Sequence, residues 1–511
     1  MKESKNQLRT GAVLSYVNLV LSSIIPFFYT PVMLRMLGDA EYGLYSLSAS
    51  VISYLSVLSF GFGGTIVRYI TMYRAKNDKK KEEEVIGFFL MLYSAIAVLV
   101  MICGVIVSFN AEPIFHRGLT KSELDKVQIL MLIMAFNSAL SFPISVFSSI
   151  VMAHEKYIFR RLVDMLSTVI VPVLNLIALY LGFASVGMAV SGTIIQFLML
   201  PINMIYCFRK LDIYPRFARL PQKLIKEMVG FSAFVFIGTI VDMLFWSTDK
   251  VILGMLAGTG AVAVYNIGCT FNTMVTSLST SLSSVLTPRI TTMVVQDATK
   301  EELTELFIRI GRIQYIIVAL AISGFTVFGR DFINLWAGKT YANAYWIAIL
   351  TLFPLCIPLI QNTGLSIVMA QNKHQFRSIS YLIIAIVNVI STYLIVPRWG
   401  GIGAAFCSGI SYVVGQGLVM NIYYYKVIGI DIPLFWKNIF KMSIFPGVMI
   451  LLGITLNKYF KISNWFMLFI LISVFTGSYI FVMFKFGMNE YEKNLFVVPI
   501  RRVIQKIKQR K

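Results

Sequence analysis

The sequence predicts an all-α integral membrane protein of about 14 transmembrane helices, built as two parallel-repeat six-helix bundles followed by two additional helices. Three observations predict it. Apolar stretches of membrane-crossing length recur from end to end, Lys and Arg concentrate in alternate connecting segments, and an ordered internal repeat separates its equivalents by an even number of spans.

The composition sets the class. Apolar residues make up 57% of the 511-residue chain and charged ones 14%, with a mean hydropathy of +0.76. Soluble domains carry roughly 45–50% apolar and about 25% charged residues, so an ordinary globular enzyme is excluded. The expected spans are 11–34, 44–66, 85–108, 128–152, 163–182, 185–207, 230–257, 261–287, 312–329, 346–369, 379–396, 402–425, 441–457 and 465–485. Each is long enough to cross a hydrocarbon layer of about 30 Å. Runs such as Val448–Leu456 and Trp465–Phe484 lack the alternation of barrel strands, which leaves helices.

The net charge of +21 raises the question of nucleic acid, but its distribution answers it. Of the 45 Lys and Arg residues, 35 lie in or beside the segments that an internal N-terminus would place inside, and 9 on the other side. That bias orients a membrane protein with both termini cytoplasmic, and no nucleic-acid partner is expected. The basic N-terminus is followed by a long apolar stretch without a small-residue cleavage site, so the first span is expected to stay.

The repeat reads Val151-Met152-Ala153, Lys156, Phe159-Arg160 in the first half and Val368-Met369-Ala370, Lys373, Phe376-Arg377 in the second. Arg68-Tyr69-Ile70-Thr71 pairs with Arg289-Ile290-Thr291, Met36-Leu37 and Tyr45 with Met255-Leu256 and Tyr265, and Asn175 and Gly187 with Asn388 and Gly401. Six spans separate equivalents, so the halves share one orientation. The expected organisation is a first lobe over 1–227, a second over 228–430, two extra helices over 431–487 and a basic cytoplasmic tail over 488–511. In that tail Ile500, Val503, Ile504 and Ile507 form one helical face and basic residues the other, the pattern of a helix lying on an anionic leaflet.

Little in the chain suggests enzymatic chemistry. Cys103, Cys207, Cys269, Cys356 and Cys407 sit scattered in apolar segments, as core-filling thiols do. His116, His154 and His374 lack metal-ligand spacing, and no GxxxxGK[ST] phosphate loop occurs, so neither metal nor cofactor is expected.

The seventh span carries Asp242, Asp249 and Lys250. Each charge costs roughly 2.5–3.5 kcal/mol at a bilayer centre, and the three together cost about what the span's large apolar residues return. Such a helix must turn its charged side to a wet cavity or to partners. In the first case Lys250 helps hold an anionic head group while the carboxylates, seven apart on one face, bind a coupling cation or tune the site. In the second the charges pair with a neighbouring helix. Asn272, Thr276, Thr280 and Ser283 form a polar stripe on the eighth span, and Ser46, Ser50, Ser53 and Tyr54 one on the second. These suit a hydrated lumen or close helix packing. Arg68, Arg289 and Arg35, at span ends, could each meet a phosphate with two hydrogen bonds or act as interfacial anchors.

Four motifs, in order, resemble a known family. They are Leu37-Gly38-Asp39-Ala40-Glu41-Tyr42-Gly43-Leu44-Tyr45, Thr248-Asp249-Lys250, Phe332-Ile333-Asn334-Leu335-Trp336-Ala337-Gly338-Lys339-Thr340-Tyr341 and Gly400-Gly401-Ile402-Gly403-Ala404-Ala405. They are similar to motifs of Wzx-type polysaccharide flippases, within the multidrug/oligosaccharidyl-lipid/polysaccharide (MOP) exporter superfamily. The resemblance implies a two-lobed fold with a basic central cavity, and a secondary-type transporter rather than an enzyme. The implied substrate is a polyprenyl-pyrophosphate-linked oligosaccharide, moved from the inner to the outer face of a bacterial cell membrane for surface polysaccharide such as O-antigen. It further implies membrane lipids, a polysaccharide polymerase and a chain-length regulator as partners, with the two extra helices sheltering the polyprenyl tail. The added Asp242 and the scarcity of deep arginines depart from the pattern. A cation-coupled exporter of amphipathic drugs, from the same superfamily, is the alternative. A membrane glycosyltransferase or ligase would need a large polar outer loop, which the sequence lacks.

Overall fold

The computed structural model describes residues 2–495 except 219–220, 297, 372, 374, 460–461 and 463. His374 and the tail residues Ile500, Val503, Ile504 and Ile507 therefore lie outside the described residues. Every described element is helical: α1 (Lys2–Leu37), α2 (Asp39–Ser53), α3 (Phe62–Ala75), α4 (Lys79–Phe109), α5 (Ala111–Phe115), α6 (Lys121–Ala153), α7 (Tyr157–Tyr180) and α8 (Ala184–Lys210) come first. They are followed by α9 (Gln222–Trp246), α10 (Thr248–Leu256), α11 (Thr259–Val295), α12 (Lys300–Trp336), α13 (Ala344–Ile360), α14 (Asn362–Ala370) and α15 (Gln375–Tyr412). A π-helical run over Val413–Met420, the short α16 (Asn421–Tyr423), α17 (Ile432–Asn457) and α18 (Trp465–Val482) complete the order.

Local chemistry explains the helix ends. Thr120 and Glu123 form a reciprocal capping box at the start of α6, and Thr299 and Glu302 form one at α12. Asp78, Asp431 and Asn464 each accept a backbone N–H at the starts of α4, α17 and α18.

Among the described residues, 10 helices are long and apolar enough to cross a membrane, or 11 if α13 and α14, bent by 42° at their junction, form one span. The ten include neither α9 nor α11, which occupy the expected seventh and eighth spans. They count Gln375–Ile428 once, although its 54 residues would measure about 80 Å at 1.5 Å each, far beyond a bilayer. Gly400 interrupts that run with φ 52° and ψ −139°.

Packing divides the chain into two compact units. The first comprises Met1–Asn266 and Ala385–Ala404. In it α6 packs between α4 and α8, and α1 packs on α7. The α4–α6 approach is close enough that a Cβ on Gly104 would overlap Ala135. Small residues permit such approaches where lipid supplies no hydrophobic drive.

The second unit comprises Ile267–Ile384 and Ala405–Lys511. Its axis is α12, flanked by α13, α17 and α18, around Phe307, Phe435, Trp336 and Tyr479. Arg312 of α12 grips Glu492 with two parallel hydrogen bonds of 2.6 and 2.9 Å and also donates to Gly487 C=O at 3.1 Å.

The ten-residue sequence repeat falls on turns of like geometry. In the first unit Lys156 N–H donates to Val151 C=O at 3.2 Å, and Phe159 stacks on Tyr206 with rings 9° from parallel. In the second unit Lys373 N–H donates to Val368 C=O at 2.9 Å, and Phe376 stacks on Tyr423, also at 9°.

Candidate functional site

The seventh expected span is two helices. The helix α9 ends at Trp246, Ser247 adopts φ −113° and ψ −29°, and α10 resumes at Thr248. The two carboxylates read as one face therefore occupy different surroundings. Asp242 is exposed, whereas Asp249 is 1% exposed. A buried carboxylate needs donors, and Asp249 has them inside the first unit. The Tyr265 hydroxyl donates to one oxygen, and the Thr392 hydroxyl donates to the other at 3.4 Å.

Lys250 is half-buried. On α10 it shares a helical face with Ser247 and Gly254. That face meets α2, where Ser247 shares a 3.0 Å hydrogen bond with Ser53 and Gly254 abuts Leu47. The serine stripe of the second span is thus spent largely on packing. Besides Ser53, Tyr54 shares a hydrogen bond with Thr248, and Ser46 accepts from Asn266 at 3.1 Å. The adjoining face of α10, through Thr248, Val251, Ile252 and Met255, lines an apolar groove of about 390 Å³ with Tyr393 and Leu394.

Arg68 is exposed on α3, its guanidinium 6.0 Å from the Tyr69 ring, and Arg35 is exposed in the last turn of α1. In the second unit Asn272, 2% exposed, exchanges hydrogen bonds with Thr351, Nδ2 donating at 2.8 Å and Oδ1 accepting at 3.1 Å. Thr276 Oγ1 is buried there without a hydrogen-bond partner. The exposed face of α11 instead carries Thr273, Ser277 and Thr280. Arg289 lies on α11, and its side chain is outside what the structure describes. A second apolar groove, of about 290 Å³, runs between Phe325, Phe328 and Phe332 of α12 and Ile472 and Phe475 of α18. No cluster of three or more His, Cys, Asp or Glu side chains able to hold a metal occurs among the described residues.

Tyr265 and Thr392 were not expected at the site. Tyr265 stood out only as a repeat equivalent of Tyr45, and Thr392 lies 143 residues from Asp249 with nothing local to mark it.

The comparisons with known proteins agree with the fold. The chain is 22% identical to the uncharacterized membrane protein EpsK of Bacillus subtilis over 433 residues, which is 82% of this chain and 83% of that one. It is 18% identical to a putative O-antigen transporter of Shigella flexneri over 76% of this chain and 91% of that one. In structure it resembles the lipid II flippase MurJ in an inward closed conformation, with a TM-score of 0.70 at 15% identity, over 93% of this chain and 99% of that one. It also resembles an inward-facing multidrug resistance MATE family transporter of the MOP superfamily, with a TM-score of 0.64 at 14% identity, over 82% and 99%. The family described as polysaccharide biosynthesis protein matches residues 8–294, more than half of the chain. This multi-pass membrane protein therefore belongs to the polysaccharide biosynthesis protein family, in keeping with the resemblance of its motifs to Wzx-type flippases of the MOP exporter superfamily.

Proposed function

We propose that the protein is a flippase that carries a polyprenyl-pyrophosphate-linked oligosaccharide from the cytoplasmic to the outer face of a bacterial inner membrane by alternating access, without enzymatic chemistry. The observation that carries this reading is a buried, hydrogen-bonded Asp249 beside Lys250 on the expected seventh span, in a chain of this family. An ionisable group at that depth has a role in transport by default. In this reading Asp249 and the exposed Asp242 take a coupling cation or tune the site, and Lys250 serves the anionic head group together with Arg68, Arg35 and Arg289. Asn272 and Thr276, expected to line the head-group cavity, are buried in the second unit, and the exposed hydroxyls of Thr273, Ser277 and Thr280 on α11 serve the cavity in their place.

The proposed layout keeps fourteen spans, both termini cytoplasmic, and two six-helix lobes at 1–227 and 228–430. The break at Gly400, the bend between α13 and α14, and helices α9 and α11 support the higher count. The matching turns at 156 and 373 support the repeat. The aromatic groove beside α18 supports a sheltering role for the extra helices toward the polyprenyl tail. A polysaccharide polymerase and a chain-length regulator are the implied partners.

Deleting the gene should deplete a surface polysaccharide and trap its lipid-linked precursor on the inner face. Complementation with Asp249→Asn and Lys250→Met together leaves neither charge orphaned. That variant should insert normally and fail to restore export. Restoration at the wild-type rate would make the two residues structural partners. Intact polysaccharide with lost drug resistance, in a strain without a paralogue, would favour the multidrug exporter, which the MATE-like fold also suits.

A further inference from the structure

One turn in the first unit is held by main chain meeting main chain. Residues 254–259 span the end of α10, the two-residue joint at Ala257 and Gly258, and the start of α11, and Gly258 takes a φ of 84° with its N–H donating to Leu253 C=O at 3.0 Å. A Cβ on Gly43 of α2 would overlap the carbonyl of Thr259. A Cβ on Gly118, in the segment between α5 and α6, would overlap the carbonyl of Gly254. Glycine alone lets another backbone approach that closely. Two glycines from different segments, 75 residues apart, thus seat the two ends of one turn.

Hydrogen bonds continue the seam from that seat. Thr259 Oγ1 donates to Glu123 at 2.8 Å, and Glu123 is itself held by its capping box with Thr120. Asn266 Nδ2 donates to the Tyr42 hydroxyl at 2.6 Å, and the Ser53–Ser247 and Tyr54–Thr248 pairs extend the line. Each contact joins a residue before 124 to one between 247 and 266. The donors are neutral hydroxyls and an amide, and such bonds exchange readily for water at modest net cost. A seam of this kind is tight when shut and can still be undone.

We propose that Gly43 and Gly118 form the closing face of an outer gate: the 254–259 turn seats on them in the closed state and leaves them when the carrier opens outward. The proposal rests on the transport reading for its direction, but its test needs no substrate. Overpacking the seat with one methyl group should disfavour closure and leave the open state, where the turn is away, unaffected.

The Ser53 and Ser247 hydroxyls are 3.0 Å apart, so cysteines at both positions should cross-link under mild oxidation in membranes, with the native chain as blank. Adding Gly43→Ala or Gly118→Ala should lower the cross-linked fraction about tenfold. Labelling of Ser247→Cys by a membrane-impermeant maleimide from outside should rise by about the same factor. Gly63→Ala, where a Cβ meets nothing, should change neither. Unchanged cross-linking and labelling in both seat variants overturns the gate. If the seat variants fail to accumulate, Thr259→Val, which removes the Glu123 hydrogen bond without added bulk, must raise labelling, and no rise overturns the gate equally. Altered labelling in a chain that exports no lipid-linked sugar still supports the gate, and only the substrate assignment then fails.

Discussion

The turn at 150–160 in the first unit and the turn at 367–377 in the second share a frame and differ in what fills it. In both, the residue after the helix donates back four positions, His154 N–H to Ile150 C=O and Gln371 N–H to Ile367 C=O, each at 3.0 Å. In both, an aromatic pair stacks alongside. The first turn adds charge. His154 Nε2 lies 3.2 Å from the buried Glu82, and Arg74 donates to Ala153 C=O at 2.7 Å. The second turn is neutral at that position, and its arginine, Arg377, lies over the Tyr381 ring at 4.7 Å. Among the described residues, backbone pairing and ring stacking are common to both turns, and the Glu82–His154–Arg74 cluster is found at the first.

The comparison can be broken by unequal pieces first. Arg74→Met should destabilise the purified protein by about 2 kcal/mol in thermal unfolding, because it takes a donor from Ala153 C=O and a nearby positive charge from the buried Glu82 carboxylate. Arg377→Met removes a cation–ring contact and a hydrogen bond, both to Tyr381, and should cost about 1 kcal/mol. Equal losses would show the charge cluster to be ornamental. The shared pieces come next. Phe159→Leu and Phe376→Leu should each cost about 1 kcal/mol, the usual worth of an aromatic pair. A difference between them of more than about 1 kcal/mol would mean the two stacks do not serve the same purpose. The smallest effect concerns pH. Burial, then the Arg74 charge, push the His154 imidazole below its ordinary range, despite the nearby carboxylate. The unfolded chain then takes up that proton first, so stability should fall as the pH drops below about 6.5. His154→Gln, which installs the residue found in the second turn, should flatten that slope. An unchanged slope would place the acid sensitivity elsewhere.

How much of this was legible beforehand depended on whether the signal was local. Hydropathy located the ten or eleven helices of membrane-crossing length among the described residues, because length and apolar content are properties of one segment. The ten-residue repeat pointed at turns that do match, because a turn's hydrogen bonds close within a few residues. Periodicity gave each polar stripe a face but not a destination. Ser53 and Asn272 were recognised as polar face residues, yet both are spent on neighbouring helices, at Ser247 and Thr351. Asp242 and Asp249 were seven apart on paper, but the backbone departs from the helix at Ser247, and only one of the two is buried. Pairings over long separations, such as Thr392 with Asp249, leave no trace in spacing. Gly43 and Gly118 show the same limit, since a glycine's use depends on what approaches it.

The grip of Arg312 on Glu492, the latter 1% exposed, bears on where this chain can be cut or joined. The last membrane helix ends near residue 487, so a fusion partner or epitope tag attached just beyond it looks harmless on a hydropathy plot. It would strand a buried guanidinium, and losing one member of such a pair costs about 3–5 kcal/mol. A junction placed after residue 495 keeps the pair. For gene fusions and purification tags, the final helix therefore ends one electrostatic clasp later than its apolar residues do.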